Sequence, residues 1–341
     1  MFKRNNSQSK SQKVWTVLTF IIVISMLLSG CAGTPTPKVF HVGTLTYGEN
    51  FAAIGEGLKA KMTELGYIEG QNVIYESRKA ATTATADEEL SLAKELVAAK
   101  VDVIVAFPSP SVVGAIKAAN GTNIPVVFVY YPIEGDAKIK SVREPGGNLT
   151  GVRYPGPELM SRRMQLLHTI APQVKRVWIG YDKSGPNTAV ALETLRPVAA
   201  EAGITLVEVP ATKIEELASD LAARAASSDI GIDAILIMPD NFNNSAAGFA
   251  ALSKFATEHN LPLVGSLVSM TGTSIFVNTI DNKSLGELAA PLVDKVLKGI
   301  QAGTIPVVTP DQTLIINYKV AQGLGLTVPD SLLKQANKVI R

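Results

Sequence analysis

The side chains best placed to hold a small solute stand at equivalent positions in an internal repeat. Asp102-Val-Ile-Val-Ala-Phe-Pro-Ser109 lines up with Asp233-Ala-Ile-Leu-Ile-Met-Pro-Asp240, and each run leads through a helical pattern to Asn123-Ile-Pro-Val-Val or Asn260-Leu-Pro-Leu-Val. A hydroxyl at Ser109 and a carboxylate at Asp240 therefore end matching strands. Repeated strand-helix-strand units predict two similar α/β lobes facing one another. In open parallel sheets, ligands bind beyond the carboxyl ends of the strands, where helix N-termini offer free N–H groups. Thr46, Tyr47, Ser109, Ser111, Tyr130, Tyr131, Tyr181, Asn187, Thr188, Asp240 and Asn241 fall at such ends. Neutral polar and aromatic groups suit reversible capture of a small polar molecule better than bond breaking. In this arrangement Ser109 and the helix start at Ser111 receive an acidic or acceptor group, and Asp240 receives a donor or a cation. Ser, Thr, Asn and Asp at these positions also cap helices.

Reactive constellations are not found. His41, His168 and His259 lie in a strand, a helix and a helix end, and none is spaced with a cysteine or acid as metal ligands are. The chain has no Gly-x-Ser-x-Gly elbow, no phosphate-binding glycine loop and no Gly-x-Gly-x-x-Gly after its first strand. We therefore expect no enzyme activity, no catalytic residues, no metal and no cofactor. Without a basic block or interleaved aromatic and basic residues, nucleic acid is not an expected partner.

The 341 residues, 46% of them hydrophobic and 18% charged, have the length and composition for about two folded domains. Residues 1–30 read as a secretory signal: Lys3, Arg4, Lys10 and Lys13 precede an uncharged, mostly apolar run from Val14 to Ser29. Leu28-Ser29-Gly30-Cys31 resembles the lipobox of bacterial lipoproteins, which makes Cys31, the sole cysteine, the expected lipid-bearing residue. Residues 31–38, with Thr34-Pro-Thr-Pro37, then form a short stiff linker from the membrane. Without the leader the chain carries 28 basic and 30 acidic residues, so the formal charge of +2 belongs to the signal.

Positioning these groups requires a regular alternation of elements. Val39 to Thr46 is an apolar, β-branched strand, and Phe51, Ile54, Leu58, Met62 and Leu65 recur at helical spacing up to Gly66. Asn72–Ser77, Val101–Phe107 and Pro125–Tyr130 supply further strands, with a helix over Asp87–Lys100. The cycle restarts with a strand at Val174–Tyr181 and ends in an amphipathic helix beginning at Asp330 and carrying Leu332, Leu333, Ala336, Val339 and Ile340. Between the halves, Pro145-Gly-Gly-Asn-Leu-Thr-Gly151 joins a stiff residue to pliable ones, so Gly146, Gly147 and Gly151 are the expected hinge.

Several stretches, taken together, carry a family likeness. Leu65-Gly-Tyr-Ile-Glu-Gly-Gln-Asn72, Pro145 to Gly151, Pro239-Asp-Asn241, Leu297-Lys-Gly299 and Ile316-Asn-Tyr-Lys-Val-Ala-Gln-Gly-Leu-Gly-Leu-Thr-Val-Pro329 resemble the substrate-binding lipoproteins of bacterial ABC importers, specifically the tryptophan- and tyrosine-type binding proteins. The resemblance runs from about Val39 to the end. It implies an α/β fold of two Rossmann-like lobes with parallel sheets, joined by a three-crossover hinge, the type I periplasmic-binding-protein fold. Residues 39–148 and 274–305 would form the N-terminal lobe, and 149–273 and 306–341 the C-terminal lobe. It further implies an extracytoplasmic, lipid-anchored receptor that binds a small polar ligand, such as an aromatic or other amino acid, and delivers it as a monomer to an ABC permease. A tethered sensor for a membrane signalling partner is the alternative. Two family acids are replaced: Tyr131-Pro132 stands where Asp-Pro is common, and Gly185-Pro-Asn-Thr188 where Glu-Ala-Asn-Ser is. Asp240 remains as the acid for a ligand cation.

Overall fold

Strand β1 (Phe40–Tyr47) buries Val42 and Leu45 on opposite faces, which obliges helices to cover both sides. Helix α1 (Ala52–Glu64) turns Ile54, Leu58 and Met62 inward and gives way at Gly66, whose φ of +93° suits glycine. After β2 (Val73–Ala80), Thr85 and Glu88 form a reciprocal capping box that starts α2 (Ala86–Ala98). Strand β3 (Val103–Phe107) is buried throughout, and α3 (Ser109–Ala119), β4 (Val126–Tyr131) and β5 (Leu149–Arg153) complete the first lobe's sheet. Its order is β2-β1-β3-β4-β5, all parallel. The computed structural model describes residues 38–81, 83–185 and 188–341, so the leader, Cys31 and most of the linker lie outside the described residues.

The chain leaves the first lobe at Tyr154-Pro155 and enters α4 (Gly156–Ile170). Leu159 of this helix packs in the first lobe's core, while Met160, Met164 and Leu167 pack in the second. There follow β6 (Arg176–Asp182), α5 (Thr188–Glu201), β7 (Thr205–Ala211), α6 (Ile214–Ala225), β8 (Ala234–Leu236), α7 (Asn241–Asn244), α8 (Ala246–Glu258), β9 (Leu263–Gly265) and β10 (Phe276–Thr279). Helix α9 (Asn282–Leu297) precedes β11 (Thr313–Asn317), α10 (Tyr318–Gly323), α11 (Asp330–Gln335) and β12 (Lys338–Ile340). The second sheet runs β12-β11-β10-β9-β8-β6-β7, parallel except where β10 meets β11. Helices cover both faces of each sheet, which gives the two-lobed α/β architecture.

The crossings lie elsewhere than expected. Residues 274–305 do not return together: β10 stays in the second sheet, paired with β9 and β11 through Phe276, and only α9 goes back to the first lobe. There it packs on α1 so closely that a Cβ on Gly286 would meet the Ile54 carbonyl oxygen at 1.9 Å. Residues 149–153, expected in the second lobe, form the edge strand of the first. Three crossings result, at Tyr154-Pro155, Ile280-Asp281 and residues 309–312.

The hinge expectation is corrected by the same topology. Gly146 and Gly147 adopt φ of +84° and +58° in the turn entering β5, within one lobe and at the amino end of the strand. Gly146 N–H donates to the Gly303 carbonyl at 3.0 Å, and a Cβ on Gly303 would lie 2.4 Å from Gly147 O, so these glycines serve close backbone packing. Gly151 lies inside β5, where a Cβ would strike the Phe128 carbonyl.

The aspartates that open the internal repeat do the same work in each lobe. Asp102 accepts the backbone N–H of His41 on the neighbouring β1 at 2.8 Å, and Asp233 accepts that of Arg176 on the neighbouring β6 at 2.7 Å. Each sets the register of two central strands.

Candidate ligand-binding cleft

The carboxyl ends of both sheets converge on the three crossings. In the first lobe, α1 follows β1 on one face and α3 follows β3 on the other, so a crevice opens between β1 and β3. Thr46 ends β1 opposite Phe107, and its Oγ1 is buried with no hydrogen-bond partner. Ser109 stands half-buried at the start of α3 on the same crevice. Tyr47 turns toward Glu89, and burial, reinforced by that carboxylate, raises its phenol.

Ser111 does not reach the cleft. It is fully buried between α2 and α3 and donates to Glu89 Oε1 at 3.4 Å. Glu89 is itself 1% exposed, its Oε2 has no partner, and burial raises its carboxyl pKa.

Tyr130 and Tyr131 part company at a register shift between β4 and β5. Tyr130 takes φ of +56°, a conformation that costs a bulky residue about 1–3 kcal/mol. Its ring then stacks on Tyr154 at the first crossing, 4.5 Å between centroids, with Phe51 edge-on at 5.1 Å. Burial lifts the Tyr130 hydroxyl well above the usual range, reinforced by Tyr154 and opposed by the charge of Arg163 in the second lobe's helix α4. Tyr131 instead turns into the first lobe's core, where its hydroxyl donates to Asp136 at 2.7 Å and its ring packs against Phe128.

On the second lobe, Asp240 is consumed by structure. It caps α7 by accepting Asn243 N–H at 2.9 Å, holds the Asn243 side-chain amide, and accepts the Asp182 N–H at the end of β6 at 3.2 Å. Burial pushes its carboxyl up to about 6 against the pull of those donors. It is a structural cap on this geometry, and the adjoining Asn241 is exposed. Tyr181 faces inward and donates to Glu208 at 3.0 Å. Thr188 donates to the Asp182 carbonyl at 2.9 Å, which closes the loop before α5, while Asn187 lies outside the described residues.

The structure adds residues that sequence reasoning missed. Arg163, on α4, is fully buried beside the ends of β9 and β10. Glu89 and Arg163 each left a signal: Glu89 shares a helical stripe with Ala93 and Leu96, and Arg163 with Leu159, Leu166 and Leu167. A charge on an apolar stripe is a buried charge. At the crossings themselves, Arg153 pairs with Glu134 and Glu158 and donates to Thr309 Oγ1 at 2.9 Å, which ties the first crossing to the third.

A cavity of about 40 Å³ remains between the lobes, lined by Pro132, Glu134 and Tyr154 from one side and by Val190, Ala191 and Pro239 from the other. A larger depression of about 610 Å³ lies at the opposite, amino ends of the first lobe's strands, around Asp102, Gly121, Asn148 and Gly299. Only the first occupies the position where parallel sheets bind ligands.

Two facing α/β lobes, three crossings and polar strand ends define a type I periplasmic binding protein. Residues 42–340 match the family described as ABC transporter substrate binding protein, and the chain belongs to that family. It is 26% identical over 335 residues to a tyrosine-binding protein of Clostridioides difficile, covering 93% of each chain. Among solved structures it resembles an ABC domain from Streptococcus pneumonia in complex with L-Trp, with 26% identity, a TM-score of 0.76, and coverage of 89% of this chain and 100% of that one. A conserved domain protein from Vibrio cholerae is similar at 25% identity and a TM-score of 0.75, with the same coverage.

Proposed function

We propose that this chain is the extracytoplasmic receptor of an ABC importer, that it captures an aromatic amino acid between its lobes, and that it hands the ligand to a membrane permease. The observation that carries this reading is the aromatic row Phe51–Tyr130–Tyr154, built at the carboxyl ends of the first lobe's strands and held by a tyrosine in a left-handed conformation. Backbone strain persists where the surrounding structure requires it, and here it brings the ring onto Tyr154 at the first crossing. The relatives that bind tyrosine and L-Trp support an aromatic ligand. The buried, unpartnered hydroxyl of Thr46 and the start of α3 at Ser109 offer polar contacts on the same lobe. The leader and Cys31 support tethering by lipid at the outer face of the cell membrane.

Calorimetric titration of the detergent-extracted full chain with L-tryptophan and L-tyrosine tests the reading. We expect a one-to-one complex with a Kd of about 1 μM or tighter, about 8 kcal/mol of binding free energy. Absence of binding by either amino acid at millimolar concentration would exclude an aromatic amino acid as the ligand.

A further inference from the structure

Arg163 is a charge without a counter-charge. Its side chain is fully buried, and its guanidinium carries a delocalised positive charge. Removing such a group from water is costly unless an acid or a complete set of acceptors meets it. Its Nε donates to the Asn278 carbonyl at 2.8 Å, its Nη2 to the Ser266 carbonyl at 3.3 Å, and its Nη1 to the Met160 sulfur at 3.4 Å. No described residue forms an ion pair with it. Arg78, Arg153, Arg176 and Arg224, each half-buried, all meet a carboxylate. The most buried arginine thus lacks the carboxylate that these four have.

Its position is at the ends of the second lobe's central strands, where parallel sheets bind ligands. Asn278 is the penultimate residue of β10, just before the second crossing, and Ser266 directly follows β9, so the guanidinium sits at the carboxyl ends of two central strands. Its field reaches the hydroxyl of Tyr130 in the opposite lobe. The polar groups around it are neutral: Ser266 bonds Asn244 at 2.6 Å, and Asn278 bonds Gln312 at 2.8 Å. Ser274 Oγ, buried in the segment that leads from β9 into β10, has no partner. Of five N–H donors, two are unclaimed, one on each terminal nitrogen, which is the pair that a carboxylate takes in bidentate fashion. The terminal nitrogens also make the two weakest of the three contacts, one of them to a thioether, a poor acceptor. The short Nε bond to Asn278 holds the fork in aim.

We infer that Arg163 is the anion receptor of the cleft: it takes the carboxylate of the ligand, and so selects amino acids and other carboxylates over amines and neutral solutes. This rests on the cleft being the ligand site. It moves the anionic end of the ligand from Ser109 to the second lobe, where closure brings it against a buried cation. The ligand's amino group is then left to face the first lobe.

The test uses the detergent-extracted full chain and a thermal-shift and calorimetry panel of L-tryptophan, L-tyrosine, tryptamine, tyramine, the remaining amino acids, small dicarboxylates and neutral sugars. We expect acids alone to stabilise the wild type, with L-tryptophan at least about 30-fold tighter than tryptamine. Arg163→Gln should lower L-tryptophan affinity by a similar factor, on the order of 30-fold, and bring acid and amine within about threefold of each other. Arg163→Lys, which keeps the charge and loses the fork, should fall between them. Retention of the wild-type preference in Arg163→Gln overturns the inference, as does tryptamine binding as tightly as L-tryptophan. Should Arg163→Gln fail to fold, the comparison of acid with amine on the wild type decides. If the aromatic amino acids do not bind but another carboxylate does, and Arg163→Gln loses it, the aromatic reading fails while this one stands. A wild-type chain that no anion of the panel stabilises overturns it.

Discussion

The rings of Tyr130 and Tyr154 stack with centroids 4.5 Å apart and planes inclined by 26°, so the end of β4 and the first crossing share one aromatic surface. A strand end belongs to one lobe and a crossing to both, so the stack joins the first lobe to the segment that leads into the second. Rings held this way lose little rotamer freedom when a ligand arrives, which favours affinity.

Tyr130→Ala should weaken L-tryptophan binding by about tenfold to a hundredfold, the loss of one aromatic contact and its buried area. Tyr130→Phe keeps the ring and should stay within about threefold of wild type. Calorimetry on both variants checks this, and undiminished affinity in Tyr130→Ala would place the ligand away from the stack.

Closure about the three crossings should appear in small-angle scattering as a smaller radius of gyration at saturating L-tryptophan. Arg153 ties two of those crossings through Glu134, Glu158 and Thr309. Arg153→Ala should cost about 1–3 kcal/mol of stability and enlarge the ligand-free radius. Gly147→Ala, at φ of +58°, should cost about 1 kcal/mol yet leave ligand-driven compaction as in wild type, because the turn lies within one lobe. Loss of compaction in Gly147→Ala would restore the glycine turn as the hinge.

The carboxyl of Asp240 gives stability a pH dependence of definite sign. Its folded pKa of about 6 lies above the unfolded value of about 3.9, so the folded state holds the proton more tightly. That contribution is complete below pH about 4 and is lost as pH rises through about 6, a change on the order of 3 kcal/mol. Asp240→Asn, which still caps α7, should remove this component. Thermal melts of the two proteins from pH 4 to pH 7 should converge in slope if Asp240 is ionised throughout, and that would remove burial as the dominant effect.

Cys31→Ala should abolish lipid labelling and leave either an uncleaved precursor or a released chain, since one cysteine follows the small-residue stretch at the signal's end. Metabolic labelling with palmitate followed by membrane fractionation reads the outcome. Continued labelling of Cys31→Ala would show that the anchor lies elsewhere.

Much of the fold was legible because the chain alternates apolar strands with helices whose inward residues recur at 3.6-residue spacing. Ile54, Leu58 and Met62 mark α1, Gly66 ends it, and the unbroken apolar run of β3 reads as a strand covered on both faces. The repeated aspartates at 102 and 233 could be aligned from sequence because they serve one local purpose twice: each pins the strand beside it. Thr46 and Ser109 were found at strand ends for a similarly local reason, since polar residues gather where a strand stops and a helix begins.

Tertiary structure decided what local pattern leaves open. Val339 and Ile340 fit a helical stripe after Asp330, yet they form a strand, because β11 presents an unpaired edge and Ile316 takes Val339 as its partner. Tyr130 and Tyr131 are adjacent and alike, and only the register shift at the end of β4 sends one ring onto Tyr154 at the first crossing and the other against Phe128 on the opposite face of the sheet. The split of β10 from α9 depends on which sheet has a free edge and which helix has a glycine, Gly286, small enough to let α1 approach. Arg163 shows the limit most plainly. Its apolar stripe announces that it is buried, but that its charge meets carbonyls and no acid is a relation among α4, β9 and β10, segments about a hundred residues apart that only the folded chain brings together.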